Sequence, residues 1–330
     1  MTGRRSCGRI GGQEKLSVLN PETGLPPIIA IAGPTAVGKS AAAMELASHF
    51  DAEIVSVDSR QIYRHLDIGT AKPPLFEQAA VRHHLINLVD PDEPYSASDF
   101  RADAERVLLD ITSRGRVAFL VGGTGHYLQA VLDRLEIPRV PPQEEFRREM
   151  EAFARSHGAE ALHARLREVD PGADQVPAAN VRRVIRAIEV QMVTGVPFTE
   201  IGRRRGKPLP ALRLALTTDR GNLYRRIDDR VEQQLRDGLI DEARQVLEMG
   251  FYAGLPPLAG LVYREAIAVV QGRMTVAEAS RRMKETTHAY ARRQYTWFRR
   301  DQALRWFDLS PKVVDDMKDT VSAYLKSLDL

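Results

Sequence analysis

The sequence predicts an α/β fold in which a parallel β-sheet carries helices on both faces. Short apolar segments of strand length recur in the first part of the chain and alternate with segments of helical periodicity. A glycine-rich turn joins the first of these strands to a helix, as in nucleotide-binding α/β proteins. After a proline-rich break at 138–142, the pattern is helical from Glu144 to about Thr199, which predicts a helical subdomain inserted into the core.

Each predicted element follows from a local pattern. The candidate strands of the first part are 28–32, 53–57, 85–89 and 117–121. Ser98 to Ser113 has its apolar residues on one stripe and is predicted to be a helix. Ligands of such sheets bind at the carboxyl ends of the strands, where the glycine-rich turn, Asp58 and the Gly122–Thr124 segment all fall.

The turn after the first strand reads G-x-x-x-x-G-K-S, a P-loop, and its flanking strand and helix predict a P-loop kinase-like core. The backbone N–H groups of such a loop and the helix N-terminus bind a di- or triphosphate. We expect Lys39 to supply counter-charge and Ser40 to bind Mg²⁺, the predicted cofactor. The candidate phosphate-binding residues are Gly33, Pro34, Thr35, Ala36, Val37, Gly38, Lys39 and Ser40.

The domain limits follow from shifts in composition. Residues 1–26 are rich in glycine, arginine and polar side chains, and we expect them to form a disordered tail. The core then comprises 27–138 and 208–330, and the helical insertion comprises 139–207. The apolar segment from Leu212 to Leu216 predicts a further core strand.

Composition excludes several classes of protein. The chain has 330 residues, of which 43% are hydrophobic and 28% are charged, which is ordinary for a globular protein. The single cysteine, Cys7, excludes an intrachain disulfide or a zinc cluster and suits a reducing compartment. Neither a secretory signal nor an apolar run of membrane-spanning length is present in the sequence. We expect a cytoplasmic monomer that does not bind membranes.

Positive charge is clustered, although the net charge is only +3. Clusters of basic residues are typical of nucleic-acid binding, and the alternative for any one cluster is a solvated helix face. The clusters are Arg182-Arg183-Arg186, Arg203-Arg204-Arg205, Arg281-Arg282-Lys284 and Arg292-Arg293 with Arg299-Arg300.

Asp58 ends the second predicted strand, beside the P-loop. Its carboxylate could hold Mg²⁺, act as a general base, or cap the following turn. The strand over 117–121 ends in Gly122-Gly123, where an ATPase or small-molecule kinase would place an aspartate.

An ordered series of motifs between about residues 28 and 300 resembles the tRNA dimethylallyltransferases. It comprises Asp58-Ser59-Arg60-Gln61-Ile62-Tyr63, Leu66-Asp67-Ile68-Gly69-Thr70-Ala71-Lys72-Pro73, His83-His84-Leu85-Ile86, Asp90-Pro91 with Tyr95-Ser96-Ala97, Val121-Gly122-Gly123-Thr124-Gly125, Arg183 to Val190, Leu223 to Arg230 and Gln294 to Arg299.

The resemblance implies transfer of a dimethylallyl group from dimethylallyl diphosphate to the exocyclic N6 amine of the adenine 3′-adjacent to the anticodon. It implies that Asp58 is the general base, that Thr124 contacts the flipped-out nucleotide, and that Arg230 reaches the diphosphate. The partner is then the anticodon stem-loop of tRNA. The implied tRNA contacts are Asp58, Ser59, Arg60, Gln61, Thr124, Arg147, Arg182, Arg183, Val184, Ile185 and Arg186.

Two positions depart from the family pattern. His126 follows Gly125 where an apolar residue is usual, and Val262-Tyr263-Arg264-Glu265 stands where Gly-Tyr-Lys-Glu is usual. Both bear on the shape of the prenyl pocket. Two other functions remain open: an isopentenyltransferase acting on free nucleotide, against which the basic insertion argues, and an RNA-binding P-loop NTPase, against which the missing aspartate argues.

Overall fold

The computed structural model describes Asn20 and residues 23–201 and 207–328. These residues include one sheet of six parallel strands in the order β3-β2-β4-β1-β5-β6. The strands are β1 Ile28–Ala32, β2 Ala52–Val57, β3 His83–His84, β4 Val117–Gly122, β5 Ala211–Thr217 and β6 Arg305–Asp308. The helices are α1 Lys39–His49, α2 Leu75–Ala80, α3 Ala97–Ser113, α4 Gly125–Leu132, α5 Glu144–His157, α6 Ala159–Val169, α7 Val181–Thr194, α8 Arg220–Arg236, α9 Leu239–Glu248, α10 Leu261–Val270, α11 Val276–Phe298 and α12 Val313–Lys326, with a 3₁₀ turn at Ala173–Gln175.

The sheet is buried on both faces, as parallel sheets require. Ile29 and Ile31 of β1 pack in a cluster with side chains of α1, α8 and α12. Ile28 and Ala30, which point the other way, pack in a second cluster with α3 and α4. The predicted α/β fold, with helices on both faces of a parallel sheet, is confirmed.

Helices outside the sheet layers form two further apolar clusters. One contains side chains of α8 to α11 and of the segment after β2. The other is built by α5, α6 and α7 around residues such as Met150, Leu162 and Val184. The inserted helical subdomain is therefore present, while its predicted limits at 139 and 207 stay a prediction.

The strands differ from the sequence predictions at two places. The strand predicted at 85–89 is wrong: the strand at this place is the two-residue β3 His83–His84, and Leu85 and Asn87 take left-handed backbone conformations with φ of 60° and 57° that end it. Residues 88–89 instead donate backbone hydrogen bonds to the carbonyl of Ile62. The edge strand β6 was not predicted, because Arg305–Asp308 has too little apolar content to stand out.

Two other predictions fall largely where the structure gives no description. Most of the predicted tail over 1–26, and the Arg203-Arg204-Arg205 cluster, lie outside the described residues. Among the helices that are described, none has both the length and the hydropathy needed to cross a bilayer.

Candidate active site

The P-loop connects β1 to α1 at the carboxyl edge of the sheet. Gly33 has φ of 138°, and a Cβ there would lie 2.7 Å from the backbone oxygen of Leu216, so only glycine fits. Gly38 is the N-cap of α1 in the left-handed conformation. The first N–H groups of α1 and the loop amides therefore face a cavity of about 340 Å³ at the end of the strands.

Three cations from two elements meet at this cavity. Lys39 Nζ donates to the Pro34 carbonyl at 2.7 Å, Arg226 Nε donates to the Ala36 carbonyl at 2.8 Å, and Arg230 donates to Thr35 Oγ1 at 3.3 Å. Burial first, and then repulsion from Arg230, lowers the pKa of Lys39 to about 7, against an opposing effect of Asp58. Burial and the charge of Arg226 likewise lower the pKa of Arg230. Such a concentration of positive charge favours a polyanionic ligand.

Asp58 follows β2 directly and lines the same cavity. Its Oδ1 accepts the backbone N–H of Arg60 at 2.8 Å and that of Gln61 at 3.4 Å. The capping role considered from the sequence is therefore real. Both of these hydrogen bonds end on Oδ1, so the cap does not use Oδ2.

The turn after β4 is joined to the turn after β2. Thr124 Oγ1 accepts the backbone N–H of Ser59 at 3.0 Å, and the Thr124 hydroxyl donates to Ser59 Oγ at 3.4 Å. Because Ser59 follows Asp58 in the chain, these hydrogen bonds place Thr124 close to Asp58. The two residues predicted to be catalytic are brought together by parallel neighbours β2 and β4.

Gln294 of α11 links this turn to the P-loop. Its Nε2 donates to the Gly123 carbonyl at 2.9 Å, and its Oε1 accepts the backbone N–H of Thr35 at 2.8 Å. Sequence reasoning noted the segment that contains Gln294 but gave this residue no role. Its only signal was membership of a motif, because the contact joins residues 259 positions apart.

Tyr290, one turn before Gln294, was also missed. Its ring lines the cavity with Arg226 and Arg230. Burial, and then the charge of Asp58, raises the pKa of Tyr290 to about 12, so the phenol is neutral near pH 7. A neutral aromatic wall limits water around a reacting group.

The donor set at the cavity suits Mg²⁺. Ser40, Asp58 and Glu77 all line it and offer hydroxyl or carboxylate oxygens. Mg²⁺ keeps most of its ligands as water and substrate phosphate, and needs only one or two from the protein. No group of three or more metal-ligating His, Cys, Asp or Glu side chains occurs in the described part of the chain.

Two of the predicted tRNA contacts have side chains engaged within the protein. Arg60 donates to the Pro257 carbonyl at 2.9 Å. Gln61 donates to the carbonyls of Thr70 and Ala71 at 3.3 and 3.1 Å. These bonds fix the turn that carries Asp58.

Arg147 and Arg186 converge on the buried carboxylate of Glu189. Arg147 binds both oxygens at 2.8 Å, and Arg186 binds Oε2 at 2.5 Å. The predicted contacts Val184 and Ile185 are also interior, since their side chains are only 0% and 3% exposed in the cluster of α5 to α7. The structure thus gives these four side chains a packing or ion-pairing role.

Arg182 and Arg183 are exposed at the start of α7. Burial, and then the positive charge of Arg183, lowers the pKa of His126 at the start of α4. His126 in turn meets Trp297 edge-to-face, with ring centroids 6.0 Å apart. The charge of Arg183 therefore acts on the start of α4, the helix that follows Thr124.

A family model described as IPP transferase matches residues 61–301, and one described as isopentenyl transferase matches residues 26–87. The tRNA dimethylallyltransferase of Thermomicrobium roseum is 44% identical over 302 residues, which cover 91% of this chain and 92% of that protein. The enzyme of the same name from a Roseiflexus species is 50% identical over 275 residues, which cover 83% and 90%.

Solved structures agree with this similarity. The tRNA isopentenylpyrophosphate transferase of Bacillus halodurans superposes with a TM-score of 0.69 at 37% identity, over 92% of this chain and 98% of that one. A eukaryotic dimethylallyltransferase acting on tRNA gives a TM-score of 0.70 at 26% identity, over 90% and 77%.

Proposed function

This chain belongs to the IPP transferase family, and we propose that it transfers a dimethylallyl group from dimethylallyl diphosphate to the N6 amine of the adenine 3′-adjacent to the anticodon of tRNA. The observation that carries the proposal is the convergence of a P-loop, three cations and the carboxylate of Asp58 in one cavity. A cavity of this kind can hold a diphosphate leaving group beside a proton acceptor.

In the proposed reaction the allylic carbon–oxygen bond breaks, and its electron pair stays on the diphosphate oxygen. The amine nitrogen forms the new bond to that carbon, and its proton passes to Asp58 Oδ2. Lys39, Arg226, Arg230 and the P-loop amides stabilise the charge that develops on the leaving group. Mg²⁺, when bound through Ser40 and diphosphate oxygens, would neutralise part of the same charge.

The exocyclic amine of adenine is a weak nucleophile, so positioning matters. Thr124 is held by Ser59 directly beside Asp58, and we propose that it contacts the extruded nucleotide. Gln294 hydrogen-bonds both the P-loop and the turn that carries Thr124. We propose that it thereby fixes the distance between the two substrates.

We propose that the helical insertion grips the anticodon stem-loop through Arg182 and Arg183. Arg147 and Arg186 share one carboxylate, so their cluster with Glu189 keeps a net positive charge. A free nucleotide would need no such surface, and the named relatives act on tRNA. The free-nucleotide alternative is therefore not favoured. We also propose that the protein acts on tRNA as a monomer in the cytoplasm.

A competition experiment tests the proposal. The protein is incubated with labelled dimethylallyl diphosphate and equal concentrations of unmodified tRNA and AMP, and label in each acceptor is measured alongside ATP hydrolysis. We expect label in tRNA only. Label in AMP would support the free-nucleotide enzyme, and ATP turnover of about one per second or faster without transfer would support the NTPase.

A further inference from the structure

The loop over residues 66–72 forms part of the wall of the P-loop cavity. It lies between the turn that carries Asp58 and helix α2, and two of its members, Thr70 and Ala71, line the cavity. Ala71 takes a left-handed backbone conformation with φ of 51°, which a residue other than glycine keeps only where its surroundings hold it. The contacts that hold this loop therefore bear on the shape of the site.

Gln61 joins this loop to the turn of Asp58. Its side-chain amide donates to the carbonyls of Thr70 and Ala71. Its Oε1 accepts the hydroxyl of Ser56 at 2.8 Å, and its backbone N–H donates to Oδ1 of Asp58 at 3.4 Å. A shift of the loop would therefore reach Asp58 through a single residue.

One carboxylate on α9 holds the first half of the loop. Asp67 and Ile68 donate their backbone N–H groups to Oε2 of Glu242 at 2.8 and 2.7 Å. Oε1 accepts the backbone N–H of Gly69 at 3.0 Å and the hydroxyl of Tyr263 at 2.5 Å. A carboxylate has about four lone-pair positions, so these donors fill it, and each of the hydrogen bonds is strengthened by the charge.

The negative charge of Glu242 suits this place. Three consecutive N–H groups that converge on one point repel one another through their partial positive charges, and an anion offsets that repulsion. A glutamine amide would accept only through its oxygen and would turn its own N–H groups toward some of the donors. The substitution Glu242→Gln therefore removes hydrogen bonds from the loop with almost no change in side-chain volume.

We propose that Glu242 is a positioning residue for prenyl transfer, which fixes the turn of Asp58 through the loop over 66–72 and Gln61. The inference rests on the proposed function, in which Asp58 takes the proton from the amine. Among the described residues, Glu242 is not one of those that line the P-loop cavity. It can still affect the rate, because a displacement of about 1 Å at a reacting group can lower a rate about a hundredfold.

Amide hydrogen exchange tests this placement without use of the reaction. Wild type and Glu242→Gln are compared over peptides that contain residues 67–69 and residues 60–61. We expect exchange about fivefold faster or more in both, the factor that one lost hydrogen bond gives in an opening equilibrium. Faster exchange at 67–69 alone would give Glu242 a local role and overturn the inference.

Single-turnover transfer at saturating tRNA and dimethylallyl diphosphate tests the consequence. We expect Glu242→Gln to lower the rate constant by about tenfold to a hundredfold, while both substrate affinities stay within a few fold of wild type. Poor folding alone would lower the amplitude of the reaction and leave its rate constant unchanged. Glu248→Gln is the matched control at an exposed position of the same helix, and it should react at the wild-type rate.

A double-mutant cycle tests the route through Gln61. The variant Glu242→Gln/Gln61→Ala should be about as slow as the slower single variant, because both changes release the same turn. A wild-type rate constant in Glu242→Gln, or a double variant slowed by the product of the two single effects, would overturn the inference.

Glu242→Asp provides a second variant where Glu242→Gln does not fold. It keeps the charge but shortens the side chain, so it should show the same lowered rate constant and the same coupling to Gln61. A wild-type rate constant in this variant, or independent effects, would likewise overturn the inference. Absence of transfer by the wild type would instead contradict the proposed function.

Discussion

The two carboxylate oxygens of Asp58 have different roles. Oδ1 holds the turn after β2 by accepting the N–H of Arg60, and we assign proton acceptance to Oδ2. A substitution that keeps one oxygen in place can therefore separate structure from catalysis. Asparagine does so, because its amide oxygen can still cap the turn while the side chain loses its basicity.

We predict that Asp58→Asn lowers the single-turnover rate of prenyl transfer by about 10² to 10⁴, the usual contribution of a general base. Its affinity for tRNA should stay within a few fold of wild type. Asp58→Ala is the matched variant and should lower thermal stability as well, because it removes the cap. Near wild-type transfer by Asp58→Asn would refute the assignment.

Lys39 gives a prediction on pH. Its pKa is lowered to about 7 by burial and by Arg230, so the lysine loses its proton above that pH. A bound diphosphate favours the charged form, so binding takes up a proton and weakens as the pH rises. We expect the affinity for dimethylallyl diphosphate to fall between pH 7 and 9 by up to about tenfold per unit.

Lys39→Met is the control for this titration, because it cannot take up the proton. It should bind weakly and show little change over the same pH range. Calorimetric titration of both proteins measures the difference, and parallel pH profiles would show that Lys39 is not the titrating group.

At the scale of elements, the arginines of α7 have two different roles. Arg182 and Arg183 are exposed, whereas Arg186 joins Arg147 on the buried Glu189. The sequence analysis placed Arg182, Arg183 and Arg186 in one basic cluster. It could not show the division, because Arg147 lies on α5 and reaches Glu189 only through the packing of the two helices.

We predict that Arg182→Ala/Arg183→Ala weakens tRNA binding at low salt and reduces the slope of log K against log salt by up to about two, one per lost phosphate contact. Affinity for dimethylallyl diphosphate should not change. The control is Arg281→Ala/Arg282→Ala, which removes equal charge about 24 Å along α11 from Trp297. Equal tRNA affinities and equal slopes of log K against log salt for all three proteins would mean that Arg182 and Arg183 are only a solvated face of α7.

Glu189 should matter for stability. Burial alone would raise its pKa, but hydrogen bonds from Arg147, the Gln143 backbone and Arg186 hold that pKa below its ordinary value. Glu189→Gln leaves two arginines without their carboxylate, and we expect a loss of about 3 kcal/mol in the free energy of unfolding.

The difference in the free energy of unfolding between wild type and Glu189→Gln should have its full value above pH 4.5, the ordinary pKa of the carboxyl group. It should shrink as the pH falls further, because the wild-type carboxylate then becomes protonated. Glu285→Gln, which breaks an exposed pair with Arg281, should cost no more than about 0.5 kcal/mol. Denaturant titrations compare the three proteins. Equal losses of unfolding free energy in Glu189→Gln and Glu285→Gln would contradict a special role of the buried Glu189 carboxylate.

Local sequence patterns predicted the strands well where both faces of the strand are buried. β1 and β4 are continuous apolar segments, β2 and β5 are mostly apolar, and each forms within a residue or so of its predicted position. The segment over 85–89 is also mostly apolar, but its positive φ angles follow from hydrogen bonds to residues after β2 that no local pattern shows.

At the scale of the whole molecule, the site is assembled from segments distant in sequence. The P-loop, Asp58 and Thr124 each end or follow a strand, so the rule for parallel sheets brings them together and sequence reasoning found them. Arg226, Tyr290 and Gln294 come from α8 and α11. Their places depend on how those helices cross the edge of the sheet, which only the three-dimensional structure provides.

In the proposed reaction, a five-carbon allylic group is joined to tRNA in this cavity. Mass spectrometry of nucleosides and fragments from unmodified tRNA, after incubation with the protein and dimethylallyl diphosphate, tests it most directly. We predict one dimethylallyl group on N6 of the adenosine that follows the anticodon, and much less of this product with Asp58→Asn. Modification at another position, or none while dimethylallyl diphosphate is bound and tRNA is intact, would contradict it.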